Sequence, residues 1–377
     1  GIVTYTGNSA TRNITDLNFQ PDLVWIKDRD AAYNYVLQDS VRGAGSTTKL
    51  ASNLQNPSVG GSAGDNAITW SGFVSSFNKE GFTVDKSGSG AIDWANVNKS
   101  SDEYVAWCWK AGGNKNTFNV DDVGYASFAA SGTPSGATTP TATSINTKAG
   151  FSIIKFTPTS AGGTATVPHG LGKEPKFIMM KSLTNAYNWD VYHANATTGG
   201  NGRLILNNNN APDFGFNPFS QVAPTKDVFT FNNAFYDDTS DSVLCYCWAD
   251  VPGYSKFGSF EGNGDTSGTN LTWNGPFVYT GFRPALVIIK SVDSANNWNV
   301  QDDVRMSYNG KTTVVQQWDN TSSESTIGSG YSRSYFADGF KITNSSYETN
   351  KPSETFLYAA WAKNPFNNLY GGQANSR

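Results

Sequence analysis

One pattern of apolar residues between a proline and a lysine occurs three times along the chain. It reads Pro-Asp-Leu-Val-Trp-Ile-Lys at 21–27, Pro-Lys-Phe-Ile-Met-Met-Lys at 175–181 and Pro-Ala-Leu-Val-Ile-Ile-Lys at 284–290. A continuous apolar run, led by a proline that cannot donate to a sheet ladder, predicts a strand covered on both faces. We expect the final lysine to mark where the strand reaches water. Three copies of equal length indicate an internal repeat.

A second apolar segment closes each repeat and ends in tryptophan. Its copies lie at 104–109, 243–248 and 356–361. Because side chains alternate along a strand, both faces of each copy are apolar, which predicts a central strand. Upstream, the strand starts at 81–84 and 339–342 match, and 228–231 is a looser version of them.

Fold class and domain organisation follow from these patterns. Turn residues interrupt the strands roughly every ten positions, and few segments show the spacing of an amphipathic helix, so the chain is predicted to be all-β. Repeats of about a hundred residues suit three tandem antiparallel β-sandwich units of a jelly-roll-like kind. The predicted boundaries are 1–113 for unit 1, 114–149 for a connector, 150–252 for unit 2, 253–366 for unit 3 and 367–377 for a C-terminal tail. The connector is rich in Gly, Ser, Thr, Ala and Pro, which predicts an extended segment that spaces units one and two apart.

Charge and motifs exclude several classes of partner and cofactor. With 27 Lys and Arg against 31 Asp and Glu, the net charge is −4 and no basic stripe is visible, which argues against nucleic-acid binding. No apolar run approaches the roughly 18 residues of a membrane span, so no membrane insertion is expected. The sequence contains no Gly-x-Ser-x-Gly, His-Glu-x-x-His or phosphate-loop motif. We therefore predict no cofactor and no catalytic residue.

The cysteines and histidines are best explained as structural residues. Cys245 and Cys247 flank one residue on a strand and Cys108 is the counterpart of Cys247, so all three are predicted to be small buried core residues. His169 lies in the turn before the repeated strand. His193 takes the position that aspartates 39 and 302 hold in the other repeats, which predicts a polar residue at a strand end.

Acidic residues give weak candidates for hydrolysis or metal binding. The adjacent aspartates at 121–122, 237–238 and 302–303 are poor acid–base couples, because neighbours on a strand point to opposite faces. The segment 260–265 is rich in oxygen ligands, but a hairpin turn explains both it and the matching segment 5–8. We predict neither an enzyme nor a metal site; a polysaccharide hydrolase and a structural calcium site are the alternatives.

Aromatic residues in segments where the repeats do not match are the candidate ligand-binding residues. They are Trp70, Trp94, Trp318, Tyr331 and Tyr335. Loops on rigid sandwiches carry binding, and exposed Trp or Tyr beside Asn and Asp suits the faces and hydroxyls of sugars. The alternative is that each is a satellite core residue.

Several longer strings resemble one known family of proteins. They are Phe-Gln-Pro-Asp-Leu-Val-Trp-Ile-Lys at 19–27, Tyr-Val-Ala-Trp-Cys-Trp-Lys-Ala-Gly at 104–112, Trp-Asp-Val-Tyr-His at 189–193, Gly-Tyr-Ser-Lys-Phe-Gly at 253–258, Gly-Pro-Phe-Val-Tyr-Thr-Gly-Phe-Arg-Pro at 275–284 and Ala-Lys-Asn-Pro-Phe at 362–366. The chain resembles, over nearly its whole length, tailed-bacteriophage virion proteins of the tail-fibre or tail structural type, which are frequent in phages of marine bacteria and cyanobacteria. The family has no assigned chemistry to carry over.

The resemblance implies a virion location, on the tail or particle surface, for a protein made in the host cytoplasm. It implies other virion proteins as partners, a host cell-surface glycan or protein bound during adsorption, and a homo-oligomer with a trimer favoured, since fibres are typically threefold. The alternative is an architectural tail adaptor or capsid-decoration protein that binds no receptor. The ending after 364 resembles the usual C-terminus of that family, so any missing part is expected before Gly1.

Overall fold

The computed structural model describes residues 1–57, 72–85, 97–159, 163–196, 202–215, 218–236, 240–265, 274–306, 313–327, 333–344 and 346–364. Almost all regular structure in these residues is strand, and the all-β prediction is confirmed. The exceptions are short 3-10 turns at Ala129–Ser131 and Asn233–Phe235 and a helix, α1, at Tyr347–Asn350. The predicted tail, 367–377, lies outside the described residues.

The strands follow the three repeats in order. The first repeat contains β1 (Ile2–Thr6), β2 (Arg12–Ile14), β3 (Leu23–Asp28), β4 (Val36–Asp39), β5 (Phe73–Asn78), β6 (Gly81–Asp85) and β7 (Glu103–Trp109). The middle of the chain contains β8 (Phe118–Val120), β9 (Val123–Tyr125), β10 (Ala142–Asn146), β11 (Phe151–Phe156), β12 (Thr164–Pro168), β13 (Pro175–Ser182), β14 (Asp190–His193), β15 (Leu204–Ile205), β16 (Val228–Asn232) and β17 (Val243–Ala249). The third repeat contains β18 (Ser255–Glu261), β19 (Phe277–Tyr279), β20 (Pro284–Ser291), β21 (Asn299–Asp302), β22 (Thr313–Gln317), β23 (Ser325–Ile327), β24 (Arg333–Phe336), β25 (Gly339–Ile342) and β26 (Thr355–Ala362).

Each repeat contributes one large and one small sheet. The large sheets run β1-β7-β3-β4, β15-β14-β13-β17-β11-β10-β8-β9 and β18-β26-β20-β21-β22-β23. The small sheets run β2-β6-β5, β12-β16 and β19-β25-β24. In every large sheet the tryptophan-ended strand (β7, β17 or β26) lies between the opening strand and the proline-led strand. The predicted central strand is therefore confirmed in all three.

The alternation of side chains along the proline-led strands divides them between two cores. On β3, Leu23 and Trp25 belong to a core built from all three large sheets. Val24 and Ile26 point the other way and pack into a cluster with residues of the small sheet. Corresponding outer clusters form in the second and third repeats. The faces of the large sheets that turn away from the small sheets thus meet in one shared core.

The repeats are joined by three matching hydrogen bonds, each from an aromatic side chain of one repeat to a backbone carbonyl of another. They run from Trp189 Nε1 to Ala51 O (2.8 Å), from Trp298 Nε1 to Ile205 O (3.0 Å) and from Tyr35 OH to Gln317 O (2.9 Å). The second repeat donates to the first, the third to the second and the first to the third. This closed ring is the contact pattern of a pseudo-threefold axis within one chain.

The segment 114–149 differs from the extended connector that its composition predicted. It contributes β8, β9 and β10, and β10 pairs with β11 at the edge of the second large sheet. Without this segment β11 would be an edge strand with unpaired backbone groups, and a segment with few apolar residues is held mainly by pairing with it. Ile145 on β10 is fully buried in the second outer cluster. The first and second repeats are also in direct contact, with the Trp109 and Trp248 ring centroids 5.9 Å apart.

The repeated lysines lie in equivalent places, as an internal repeat predicts, but the prediction that they reach water is wrong. Each lies opposite the residue four positions before the closing tryptophan. All three are buried, and backbone carbonyl oxygens accept hydrogen bonds from each ammonium group. Lys181 Nζ, for example, donates to Tyr187 O and, across the repeats, to Gln55 O, at 2.7 Å each.

Replacing Lys181 with methionine is expected to remove part of the pH dependence of stability. Burial lowers the pKa of Lys181 from 10.5 to about 7. Above that pH the folded protein has released this proton, whereas the unfolded chain keeps it until about pH 10. The free energy of unfolding of the unsubstituted protein should therefore rise between about pH 7 and pH 10 relative to that of Lys181→Met. Urea unfolding of both proteins measures this difference; a difference that is constant with pH would contradict the prediction.

Candidate functional site

Three tryptophans that end the closing strands meet at one end of the shared core. The ring centroids are 5.9 Å apart for Trp109 and Trp248, 5.4 Å for Trp109 and Trp361, and 6.0 Å for Trp248 and Trp361. The interplanar angles are 68°, 70° and 72°, so every pair packs edge to face, an arrangement that the ring quadrupoles favour. The triad marks one end of the pseudo-threefold axis.

A cleft of about 780 Å³ opens beside this triad. Trp109 and Trp361 line it together with Phe19 and Tyr254, and the segments around 146–149 and 251–254 complete its wall. All three repeats therefore contribute to it. Its volume lies within the range of roughly 300–1,000 Å³ that is usual for small-molecule sites.

Charged groups surround the aromatic wall of the cleft. Lys110 is held by Asp122 at 2.7 Å, and Lys363 Nζ lies 2.6 Å from Asp303 Oδ2. Burial raises the pKa of Asp303, and the hydrogen bond from Lys363 opposes that rise. Lys148 lines the cleft with an exposed side chain.

Tyr254 adds a neutral polar group to this wall. Burial raises its pKa to about 12, so the hydroxyl keeps its proton at physiological pH. Aromatic faces beside charged groups and a hydroxyl suit a ligand with both apolar faces and hydrogen-bonding groups, such as part of a saccharide or a peptide.

The comparisons with known proteins identify one family. The family model described as "Domain of unknown function (DUF7483)" matches residues 1–365. The chain belongs to the DUF7483 family. No curated protein and no solved structure matches it. The matched range contains all three repeats and the cleft, so the DUF7483 domain corresponds to the whole ring of repeats and not to a single repeat.

Two of the five aromatic residues predicted to bind a ligand are core residues in the DUF7483 chain. Trp318 is buried and stacks on Trp25, with ring centroids 3.7 Å apart. Tyr335 is buried, and its hydroxyl donates to Gln301 O at 3.0 Å. Neither side chain can present a ring to a ligand from solution, so their predicted exposure is wrong. The remaining three, Trp70, Trp94 and Tyr331, lie outside the described residues.

Trp318 was misjudged because its counterparts in the other repeats are unlike it. The backbone N–H of Trp298 donates to Asp319 Oδ1. The matching backbone N–H groups of the first and second repeats donate in the same way to the side chains of asparagines. By this equivalence, Ser52 and Leu206 are the counterparts of Trp318 in the first and second repeats. One position of the shared core thus accepts a serine, a leucine or a tryptophan, and comparison of the copies could not show it as a core position.

The histidines occupy structural positions in the DUF7483 fold. His193 is the last residue of β14, as aspartates 39 and 302 are the last residues of β4 and β21. Each of the three lies opposite the same position of the proline-led strand, so the predicted equivalence is confirmed. Its Nε2 lies 3.1 Å from Tyr358 O of the third repeat. His169 Nε2 lies 3.1 Å from Thr225 O. Burial lowers the pKa of both imidazoles to about 4, so both are neutral at pH 7.

Other sequence predictions concern the cysteines, metals and membranes. The three cysteines are buried, free and part of the core, as predicted. Among the described residues no group of three or more His, Cys, Asp or Glu is placed to hold a metal ion. Within the same ranges no helix has the length and apolar character needed to cross a membrane.

Sequence reasoning missed the cleft itself. Phe19 and Tyr254 lie far apart in the chain, and they meet only because the repeats close into a ring. The only signal was that the opening strand of every repeat begins, and its closing strand ends, at the same end of a sheet. That signal locates the end of the axis but not a cavity.

Proposed function

We propose that the DUF7483 chain is a tail-fibre-like structural protein of a phage virion, and that it binds a host cell-surface glycan or protein during adsorption. The resemblance of several sequence strings to tail-fibre and tail structural proteins supports the proposed virion location. The observation that carries the binding function is the cleft, with its aromatic wall and the charged groups around it. Other virion proteins are the further partners, and a homotrimer is the proposed assembly.

The proposed architecture is a set of three antiparallel sandwich units of a jelly-roll-like kind, 1–113, 150–252 and 253–366. In each, the small sheet covers one face of the large sheet, and the other face enters the shared core. The segment 114–149 acts as part of the second unit, since its strands extend that sheet.

Blocking the cleft is expected to reduce binding to host cells at least tenfold. Val304 lines the cleft and is 48% exposed, so Val304→Trp can fill the opening with little effect on the fold. Val222 has the same exposure and does not line the cleft, which makes Val222→Trp the matched control. Fluorescently labelled protein is titrated onto a panel of marine bacterial and cyanobacterial cells. If the unsubstituted protein binds no cell, or if Val304→Trp binds as Val222→Trp does, recognition through the cleft is rejected.

An architectural role is the second candidate, and the ring of inter-repeat contacts favours it. A chain with its own pseudo-threefold axis can sit on the threefold axis that fibres typically have, as a tail adaptor or a capsid-surface decoration. Cryo-electron microscopy of intact particles separates the two proposals. A distal position with the cleft open to solvent supports recognition, and burial of the cleft between other virion proteins supports the architectural role.

A further inference from the structure

The small sheet of the third repeat has an aromatic outer face. On β19, β24 and β25 the side chains alternate, so Val278, Tyr335 and Phe340 point into the outer cluster. The opposite positions carry Phe277, 48% exposed, Tyr279, 67% exposed, and Phe336, 42% exposed. We call these three residues the aromatic face.

The three rings of the aromatic face lie beside a row of polar groups. Phe277 is opposite Lys341 on β25, and Lys341 is opposite Ser334 on β24. Lys341 Nζ donates to Asn274 Oδ1 at 3.0 Å. The ring centroids of Phe277 and Phe336 are 5.9 Å apart, and the rings are inclined at 67°. Exposed rings and hydrogen-bonding groups therefore share one surface.

The first repeat contains the same sheet with polar residues at the positions of the aromatic face, which makes it an internal control. Its core positions remain apolar: Ile14, Phe77 and Phe82 lie where the third repeat has Val278, Tyr335 and Phe340. Its outward positions hold Asn13, Thr15 and Asn78 in place of Phe277, Tyr279 and Phe336.

The polar side chains of the first repeat bond to one another across the strands. Asn78 Nδ2 donates to Thr83 Oγ1 at 2.8 Å, and Thr83 Oγ1 donates to Asn13 Oδ1 at 2.6 Å. In the second repeat, threonines 166 and 230 pair at the positions of Phe277 and Lys341. This sheet therefore folds with polar residues at these positions, and the aromatic face of the third repeat is not required by the fold.

The aromatic face is not explained by a need to cover a glycine in the strand. A side chain at Gly339 would collide with the backbone oxygen of Val278 and lie 2.9 Å from Phe277 Cζ, so Phe277 covers this glycine. Gly81 occupies the same position in the first repeat and would collide in the same way with the oxygen of Ile14. At the position from which Phe277 covers Gly339, the first repeat has Asn13. The need for a glycine is thus shared by both repeats, and the aromatic cover is not.

The size and composition of the face select a small ligand over a protein. Three half-exposed rings offer roughly 300 Å² of apolar surface, since a whole Phe or Tyr side chain accounts for about 150–250 Å². A stable protein interface needs about 800 Å² on each side. The outward positions of these three strands hold no aliphatic side chain. A pyranose ring fits better, because its C–H face packs on an aromatic ring while its hydroxyls bond to neighbouring polar groups.

We propose that the aromatic face binds a saccharide chain by stacking, with Lys341, Asn274 and Ser334 as hydrogen-bonding partners. Because Phe277 and Phe336 are inclined at 67°, both rings cannot lie on one flat surface, so the face suits a single twisted glycan chain over a crystalline polysaccharide. The site is separate from the cleft. It rests on the proposed function only for the source of the saccharide, a host surface; saccharide binding itself does not depend on a virion location.

The test transfers the outer face of the first repeat onto the third. The triple variant Phe277→Asn, Tyr279→Thr, Phe336→Asn installs the residues that the same sheet already carries elsewhere in the chain. Tyr347→Thr is the matched control, because Tyr347 is 68% exposed and lies outside this sheet. Affinity electrophoresis is run in gels that contain a soluble β-glucan, a galactomannan or alginate, and thermal unfolding of each variant is recorded in parallel.

We expect the unsubstituted protein and Tyr347→Thr to be retarded by at least one polysaccharide, and the triple variant to bind at least tenfold more weakly with an unchanged unfolding temperature. Equal retardation of the triple variant, or no retardation of the unsubstituted protein in any gel, overturns the proposal. The cell-binding assay with Val304→Trp is independent of this result. Loss of polysaccharide binding in the triple variant together with no binding to any cell would support the aromatic face and reject host recognition.

Discussion

Trp361→Ala should lower the free energy of unfolding by about 3–5 kcal/mol, the cost of truncating a large buried aromatic side chain. Trp361 is 5% exposed and packs against Trp109, Trp248 and Phe257, with ring centroids 5.4, 6.0 and 5.5 Å away. Alanine would leave a cavity where the three repeats meet. Equilibrium unfolding in guanidinium chloride measures the change.

The control keeps a ring at the same position. Trp361→Phe removes less volume and should cost clearly less than Trp361→Ala, because the edge-to-face contacts survive in part. Trp109 and Trp248 belong to repeats other than that of Trp361. The loss of stability should therefore affect the whole chain, which should unfold in one transition. A cost below about 1 kcal/mol, or a separate transition for the third repeat, would contradict a shared tryptophan core.

Periodicity predicted the parts of this fold that depend on local alternation. The apolar runs gave the central strands because a strand that is apolar on both faces must have a sheet or another protein layer on each side. The match of His193 with aspartates 39 and 302 was predictable for the same reason: equal spacing from the proline-led strand places each side chain at the same end of a sheet.

What the sequence did not predict depends on contacts between repeats. Lys27 ends an apolar run and predicts exposure, yet the chain after it turns back and supplies Ala31 O to the ammonium group. The second large sheet gains β10 because its edge at β11 would otherwise be open, a property of the assembled sheet and not of the segment 114–149. The inward position of Trp318 requires the ring of repeats, which no single copy encodes.

The aromatic face could be predicted from the sequence only in part. Comparison of 339–342 with 81–84 could have aligned the two small sheets, because both begin with Gly-Phe. Their first strands share no such signature, and Phe277 could not be set against Asn13 until the strand pairing was known. The signal of function was a difference between the repeats, and it can be recognised only when the register of strand pairing is known.

Arg305→Met should also cost about 3–5 kcal/mol, because it leaves the buried Asp302 carboxylate without its cation, whereas Glu324 keeps Arg29. Arg305 Nε donates to Asp302 Oδ2 at 2.7 Å, and its Nη1 lies 3.0 Å from Glu324 Oε2, with the guanidinium side chain fully buried. The network crosses repeats: Trp107 Nε1 donates to Asp302 Oδ2 at 3.1 Å, and Arg29 Nε lies 2.7 Å from Glu324 Oε2. Urea unfolding measures the loss.

Two further variants separate the effect of an unpaired buried charge on stability from the effect of lost packing. In Asp302→Asn with Arg305→Met, the buried charge is gone while an amide oxygen still accepts from Trp107, so the double variant should be more stable than Arg305→Met alone. Lys226→Met removes the same charge from an exposed pair with Asp227 and should change stability by less than about 1 kcal/mol. If the double variant were no more stable than the single one, the guanidinium group would stabilise the junction of the first and third repeats by packing over Trp107, 5.3 Å from its ring centroid, and not by neutralising Asp302.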